Sequence, residues 1–344
     1  MNYEQLQTIA NAMVQKGKGI LAADESTPTC TKRFNSLGVE STESTRNAFR
    51  DLLFTTVGME EFISGVILFD ETLRQSTLSD GIPYPQYLNS KGVIPGIKVD
   101  GGANDLALHS GEKVTEGLDG LSRRLSEYYE LGARFAKWRA VITIGDGIPT
   151  EACIHANAHA LARYAALCQV AGLVPIVEPE VLMDGEHNID TCYDISIRAL
   201  QHVFEELDNQ SIYLEGIVLK PNMVISGINC PQQATVEEVA NRTVECLKAT
   251  VPDQVPGCAF LSGGQSNEDA TAHLNMMNVK HGDSLPWNIT FSYGRALQSS
   301  ALHSWSGKSE NILSAQDAFY LRSKFNGMAI TGSYSNDLEM EEVK

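Results

Sequence analysis

Short apolar or β-branched runs recur along the chain, each too brief for a helix and several opening after a glycine. That length and composition predict strands. The runs are Gly19–Asp24 (GILAAD), Gly65–Phe69 (GVILF), Gly96–Val99 (GIKV), Arg134–Arg139 (RFAKWR), Val174–Pro179 (VPIVEP), Gly216–Lys220 (GIVLK), Ala259–Ser262 (AFLS) and Ile289–Tyr293 (ITFSY). Between them the period changes. Ala48, Phe49, Leu52 and Leu53 share a helical face. Leu118, Leu121, Leu125 and Tyr128 share another and stop at Gly132, and Leu161, Tyr164 and Leu167 precede Gly172. Strands alternating with helices imply right-handed βαβ units and a parallel sheet. Eight such units in 344 residues predict an α/β fold, a single (β/α)8 TIM barrel over residues 1–332. An open doubly wound sheet is the competing architecture, but no GxGxxG follows the first strand. Residues 333–344, SYSNDLEMEEVK, are polar and acidic and read as a mobile C-terminal tail.

Charge narrows the partners. Asp and Glu number 43 against 26 Lys and Arg, a formal net charge of −17. Nucleic acid and anionic membrane surfaces are repelled at long range by such a protein. No apolar run is long enough to span a bilayer. The N-terminus, MNYEQLQTIANAMVQKGKG, reads as a helix rather than a signal peptide. Seven cysteines, odd in number and without a CxxC, read as free thiols in a reducing cytoplasm.

The strand ends carry the chemistry. Both faces of a barrel strand are buried, so charges belong only at the C-terminal mouth, where barrels keep their active sites. Nearly every run here ends in a charge or hydroxyl: Asp24, Lys98, Lys137 with Arg139, Glu178 with Glu180, Lys220, Ser262, and Arg295 just past the eighth. One such end could be a structural ion pair; convergence of all of them on one mouth predicts a polar site. Lys137 and Arg139 are two apart, as are Glu178 and Glu180, so each pair shares a strand face and Trp138 points to the helices. Several cations beside a few carboxylates suit a phosphorylated substrate and acid–base chemistry. Ser262-Gly263-Gly264 and Gly294-Arg295 offer backbone N–H groups where barrels commonly seat a phosphate.

A metal is not expected. His155 and His159 have i, i+4 spacing, but HANAH lacks the Glu of HExxH and lies in a helix away from the strand ends. They read as surface histidines, as does His187 in its loop. Without a metal, a carbonyl substrate can be activated as a lysine Schiff base, and Lys98, Lys137 and Lys220 are all candidates.

The segments GILAADEST, GVILFDETL, GIKVD, FAKWR, VPIVEPE, EGIVLKPNM, FLSGGQS and FSYGRALQ closely resemble class I fructose-bisphosphate aldolase, in order and spacing, from about Tyr3 to Asn326. The resemblance implies cleavage of fructose 1,6-bisphosphate to dihydroxyacetone phosphate and glyceraldehyde 3-phosphate by a cofactor-free cytoplasmic homotetramer. It selects Lys220, of LKPNM, as the Schiff-base residue. It makes Glu178 the main general acid/base and Asp24 the carboxylate at the C4 hydroxyl. Lys137 becomes the neighbour of the Schiff-base Lys, with Glu180 and Arg139 supporting it. Ser262, Gly263, Gly294 and Arg295 match the C1-phosphate site, and Ser26, Lys98 and Thr29 the C6-phosphate site. Two departures stand out. Pro28-Thr29 replaces the usual small residues, and the last residues, Glu341-Glu342-Val343-Lys344, lack the terminal Tyr of the animal enzymes, leaving Tyr334 as the tail's tyrosine. A transaldolase-like barrel would not need two phosphate clamps. A non-catalytic sugar-phosphate scaffold would have lost one of Asp24, Lys137, Glu178 or Lys220.

Overall fold

A computed structural model describes residues 2–341. Its strands in chain order are β1 (Gly19–Ala23), β2 (Ile63–Leu68), β3 (Ile94–Lys98), β4 (Gly102–Asp105), β5 (Lys113–Glu116), β6 (Phe135–Ile142), β7 (Val174–Val181), β8 (Val218–Leu219), β9 (Gly257–Phe260) and β10 (Asn288–Tyr293). Eight of them close into a barrel in the order β1-β10-β9-β8-β7-β6-β3-β2, with every neighbouring pair parallel. The expected (β/α)8 barrel is therefore present, and the open sheet is not.

Alternation along the strands builds two cores. Ile20, Ala22, Ile67, Phe135, Val174, Ile176, Val218 and Ala259 form the barrel interior. Their neighbours Leu21, Ala23, Val66, Ala136, Trp138, Val177 and Leu219 pack outward against the helices. Trp138 stacks on Tyr164 of the helix Glu151–Val170 at 5.6 Å between ring centroids. Inside, ring and glycine are matched in size. A Cβ on Gly96 would lie 2.2 Å from the Phe135 ring, so only glycine leaves room for that phenyl group.

The lower end of the barrel is stoppered. The helix Tyr3–Met13 is capped by Asn2, whose side chain accepts from the Gln5 N–H at 3.1 Å. Its Leu6, Ala10 and Met13, followed by Val14, are all fully buried against the interior layer.

Three features depart from the sequence reading. β6 and β7 run on to Ile142 and Val181, past the expected ends. The antiparallel hairpin β4–β5 was not anticipated, because GAND and KVTE carry no apolar alternation. It is anchored by tertiary contacts instead: Thr115 donates its hydroxyl to the Arg139 carbonyl and its N–H to Asn157. His187 is half-buried, not exposed, with both ring nitrogens shielded and unpartnered among the described residues. Burial pushes its pKa down.

The C-terminal segment lies against the barrel as far as it is described. Tyr334 is buried, and its hydroxyl donates to Glu339, which also pairs with the buried Arg322. The remainder of the expected tail, 342–344, lies outside the described residues.

Candidate active site

The inward register explains which side chains reach the mouth. Continuing two residues beyond an apolar interior position leads from Ala22 to Asp24, from Phe135 to Lys137 and Arg139, from Ile176 to Glu178 and Glu180, and from Val218 to Lys220. The charged layer is thus the next pleat above the packed interior. Strand pairing sets their heights, with Lys98 level with Lys137 and Arg139 level with Glu178.

A cavity of about 260 Å³ opens there. Its lining includes Asp24, Ser26, Thr29, Lys98, Lys137, Arg139, Glu178, Glu180, Lys220, Ser262, Gly263, Gly294 and Arg295, so every residue that the family resemblance assigned to the site meets at one place. His155 and His159 do not. They stay on the outer face of their helix, beside Glu206.

At the centre, Glu178 bridges two lysines. Lys220 Nζ lies 3.2 Å from Oε1, and Lys137 Nζ lies 3.0 Å from Oε2. The second contact is an ion pair without hydrogen-bond alignment, which leaves Oε2 without an aligned donor. Lys137 instead donates to Asp24 Oδ2 at 3.0 Å. All four groups are buried, with exposures between 3% and 9%. Burial alone would raise the Glu178 and Asp24 pKa values, but Lys137 and Lys220 overcome it and hold both carboxylates ionised. Burial would likewise neutralise Lys137, yet Asp24 and Glu178 raise its pKa.

Around this centre, Arg139 is paired with Glu180. Lys98 donates to the Asp100 carboxylate at 2.6 Å and to its carbonyl at 3.1 Å. On one side of the mouth, Gly263 and Gly264 adopt φ of +57° and +80°, values that favour glycine. A Cβ on Gly264 would lie 3.0 Å from the Arg295 guanidinium, so the turn after β9 and the start of the helix Arg295–Trp305 sit together. Arg295 is exposed and has no carboxylate partner among the described residues.

Sequence reasoning missed Glu25, Arg33 and Ser292, which also line the cavity. Glu25 is held between Arg33 and the buried Arg50, and Gln298 donates to it at 2.9 Å. A signal for Arg33 existed: Ser26, Thr29 and Arg33 have i, i+3, i+7 spacing, which aligns them on one face of the helix Thr27–Asn35. Tyr334 is not among the lining residues, because its hydroxyl is engaged by Glu339.

Known proteins carry the same architecture. The family model for class I fructose-bisphosphate aldolase matches residues 5–344. A probable class 1 fructose-bisphosphate aldolase of Xanthomonas campestris is 58% identical over 97% of this chain and 99% of its own length. The cytosolic fructose-bisphosphate aldolase 4 of Arabidopsis thaliana is 52% identical over 98% of this chain and 86% of its own. The solved fructose-bisphosphate aldolase of Plasmodium falciparum superposes with a TM-score of 0.95 at 48% identity, covering 97% of this chain and 96% of that one. With these matches extending over nearly its whole length, the chain belongs to the class I fructose-bisphosphate aldolase family.

Proposed function

We propose that this aldolase cleaves fructose 1,6-bisphosphate reversibly at the barrel mouth, through a Schiff base on Lys220. The observation that carries the reading is the Lys220–Glu178–Lys137–Asp24 chain, four buried ionisable groups in sequence above an otherwise apolar interior. Structural ion pairs gain little from such burial, whereas proton transfer between groups at hydrogen-bond range needs it.

In this reading Lys220 Nζ attacks the C2 ketone. Glu178, at 3.2 Å, takes the ammonium proton and returns one as the carbinolamine loses water. The protonated imine is an electron sink. Asp24 accepts the C4-hydroxyl proton, the C3–C4 bond breaks, and its electron pair moves into the imine to give an enamine. Glyceraldehyde 3-phosphate leaves; protonation at C3 and hydrolysis then release dihydroxyacetone phosphate. Lys137, between both carboxylates, holds them ionised and apart. Ser262, Gly263, Gly294 and Arg295 take the C1 phosphate, and Ser26, Thr29 and Lys98 the C6 phosphate. The N–H of Gly263 makes no hydrogen bond to any described residue, which suits an anion. Homotetrameric assembly and a cytoplasmic location, without cofactor, complete the proposal by family likeness.

The test is covalent trapping. Incubation with dihydroxyacetone phosphate in EDTA, reduction with borohydride and peptide mass mapping are expected to place the adduct on Lys220. An adduct elsewhere, or one that requires added metal, sinks the mechanism.

A further inference from the structure

The turn after β9 is held from behind by a side chain to which the proposed reaction gives no role. His273 sits on the helix Asn267–His281 and is 8% exposed, so its ring needs a partner. Its Nδ1 lies 2.6 Å from Gln265 Oε1. The other end of that amide, Gln265 Nε2, donates to the Ser262 carbonyl at 2.9 Å and approaches the Met223 sulfur at 3.7 Å. The Gln265 backbone N–H donates to the same carbonyl at 3.0 Å.

Donor and acceptor inventory fixes every orientation here. A carbonyl and a thioether only accept, so the Gln265 group facing them is the NH2. Its oxygen therefore faces His273, and Nδ1 must carry the hydrogen. Burial lowers the His273 pKa to about 4, which keeps the ring neutral and in that single tautomer at neutral pH.

The consequence reaches the cavity through one peptide bond. The Ser262 carbonyl and the Gly263 N–H belong to the same planar trans unit and point in opposite directions. Two hydrogen bonds on the carbonyl therefore set the direction of the N–H. Gly263 itself, at φ +57°, has no side chain to steady it.

We infer that His273 is a positioning residue: by locking the Gln265 amide it pins the Ser262 carbonyl and so aims the Gly263 N–H at the substrate phosphate. This rests on the reading of Ser262-Gly263 as the C1-phosphate clamp.

Steady-state cleavage of fructose 1,6-bisphosphate tests it with four variants. His273→Phe keeps the ring volume but removes the donor. It is expected to raise KM roughly three- to tenfold, the scale of one lost hydrogen bond, with kcat within about twofold. His273→Asn carries an amide N–H near the position of Nδ1 and is expected to restore KM. Gln265→Glu keeps an acceptor for His273 but replaces the side-chain donor to the Ser262 carbonyl with an acceptor, leaving only the backbone N–H, so its KM is expected to rise at least as far. Competitive inhibition by inorganic phosphate should weaken in parallel. Parental KM and phosphate inhibition in His273→Phe, or no rescue by Asn, overturn the inference. Should His273→Phe fail to fold, an unchanged KM in Gln265→Glu does the same. Arg295→Ala separates the two levels, because it removes the cation of the same clamp and leaves the Ser262–Gly263 peptide unchanged. An unchanged KM there removes the phosphate clamp itself, and with it the inference. A raised KM beside an unaffected His273→Phe removes the positioning role alone.

Discussion

Glu178 faces Lys220 with one oxygen and Lys137 with the other, so the oxygen placed to exchange a proton with Lys220 is not the one beside Lys137. Glu178→Gln keeps the shape but cannot shuttle a proton. Turnover is expected to fall by roughly two to four orders of magnitude, with the fold intact by circular dichroism. The same groups set the pH range of stability. Asp24 and Glu178 have folded pKa values below the ordinary 3.8 and 4.5, so their contribution is complete above those values and is lost as pH falls through the depressed ones. Lys137 is raised above 10.5; its contribution is complete below that value and is lost as pH climbs through the raised one. His273 adds an earlier acid shoulder, because the unfolded imidazole protonates from 6.5 downward while the buried one waits until about 4. Between pH 7 and pH 5 this costs the parent protein about 2 kcal/mol. Melting temperatures of His273→Asn should fall less across that interval than those of the parent; equal falls would show that other groups make the shoulder.

The elements differ in how legible they were, and packing explains why. β1, β6 and β7 announced themselves because one face is the apolar interior and the other the helix layer, leaving charge only at the top. Lys137 and Glu178 could be picked out as exceptions to that rule. Arg50 could not, because a helix tolerates charge anywhere on its outer face, and for Arg33 only the spacing from Ser26 and Thr29 pointed to the mouth. What assigns them inward is Glu25, which comes from a different element. The hairpin β4–β5 and the half-buried His187 were lost for a related reason: their environments come from segments distant in sequence. His187 packs against Gly227, and Thr115 is bound by Asn157 and Arg139. Choosing Lys220 over Lys98 and Lys137 came from family resemblance, and spacing alone left all three open. Inside the barrel, the Gly96–Phe135 match is an element-level property. Gly96→Ala forces the ring or the strand to move and is expected to cost about 1–3 kcal/mol, read as a lowered melting temperature. An unchanged midpoint would mean that the interior is looser than its geometry.

On the scale of the whole molecule, the sign of the charge reverses between outside and mouth. A chain of net charge −17 gathers Lys98, Lys137, Arg139, Lys220 and Arg295 around one cavity, with Arg33 beside them. The acidic exterior governs solubility, and the exceptions select the ligand. The thiols are sorted just as sharply. Cys30, Cys153, Cys168, Cys192, Cys246 and Cys258 are buried, and Cys230 alone is partly open. Titration of the native protein with an aromatic disulfide reagent should release one fast equivalent, mapped to Cys230, and all seven in denaturant; several fast equivalents would contradict the packing. Closure of the barrel has a further consequence. β1 hydrogen-bonds to β10, and the Gln298 amide donates to the Ala22 carbonyl. On the ribosome β1 therefore waits for β10, about 270 residues later, which at typical elongation rates is on the order of 15–50 s. Throughout that interval the nascent chain carries an unpaired, wholly apolar edge at Gly19–Ala23. Synthesis, more than the finished fold, is the stage at which this protein is most exposed to aggregation.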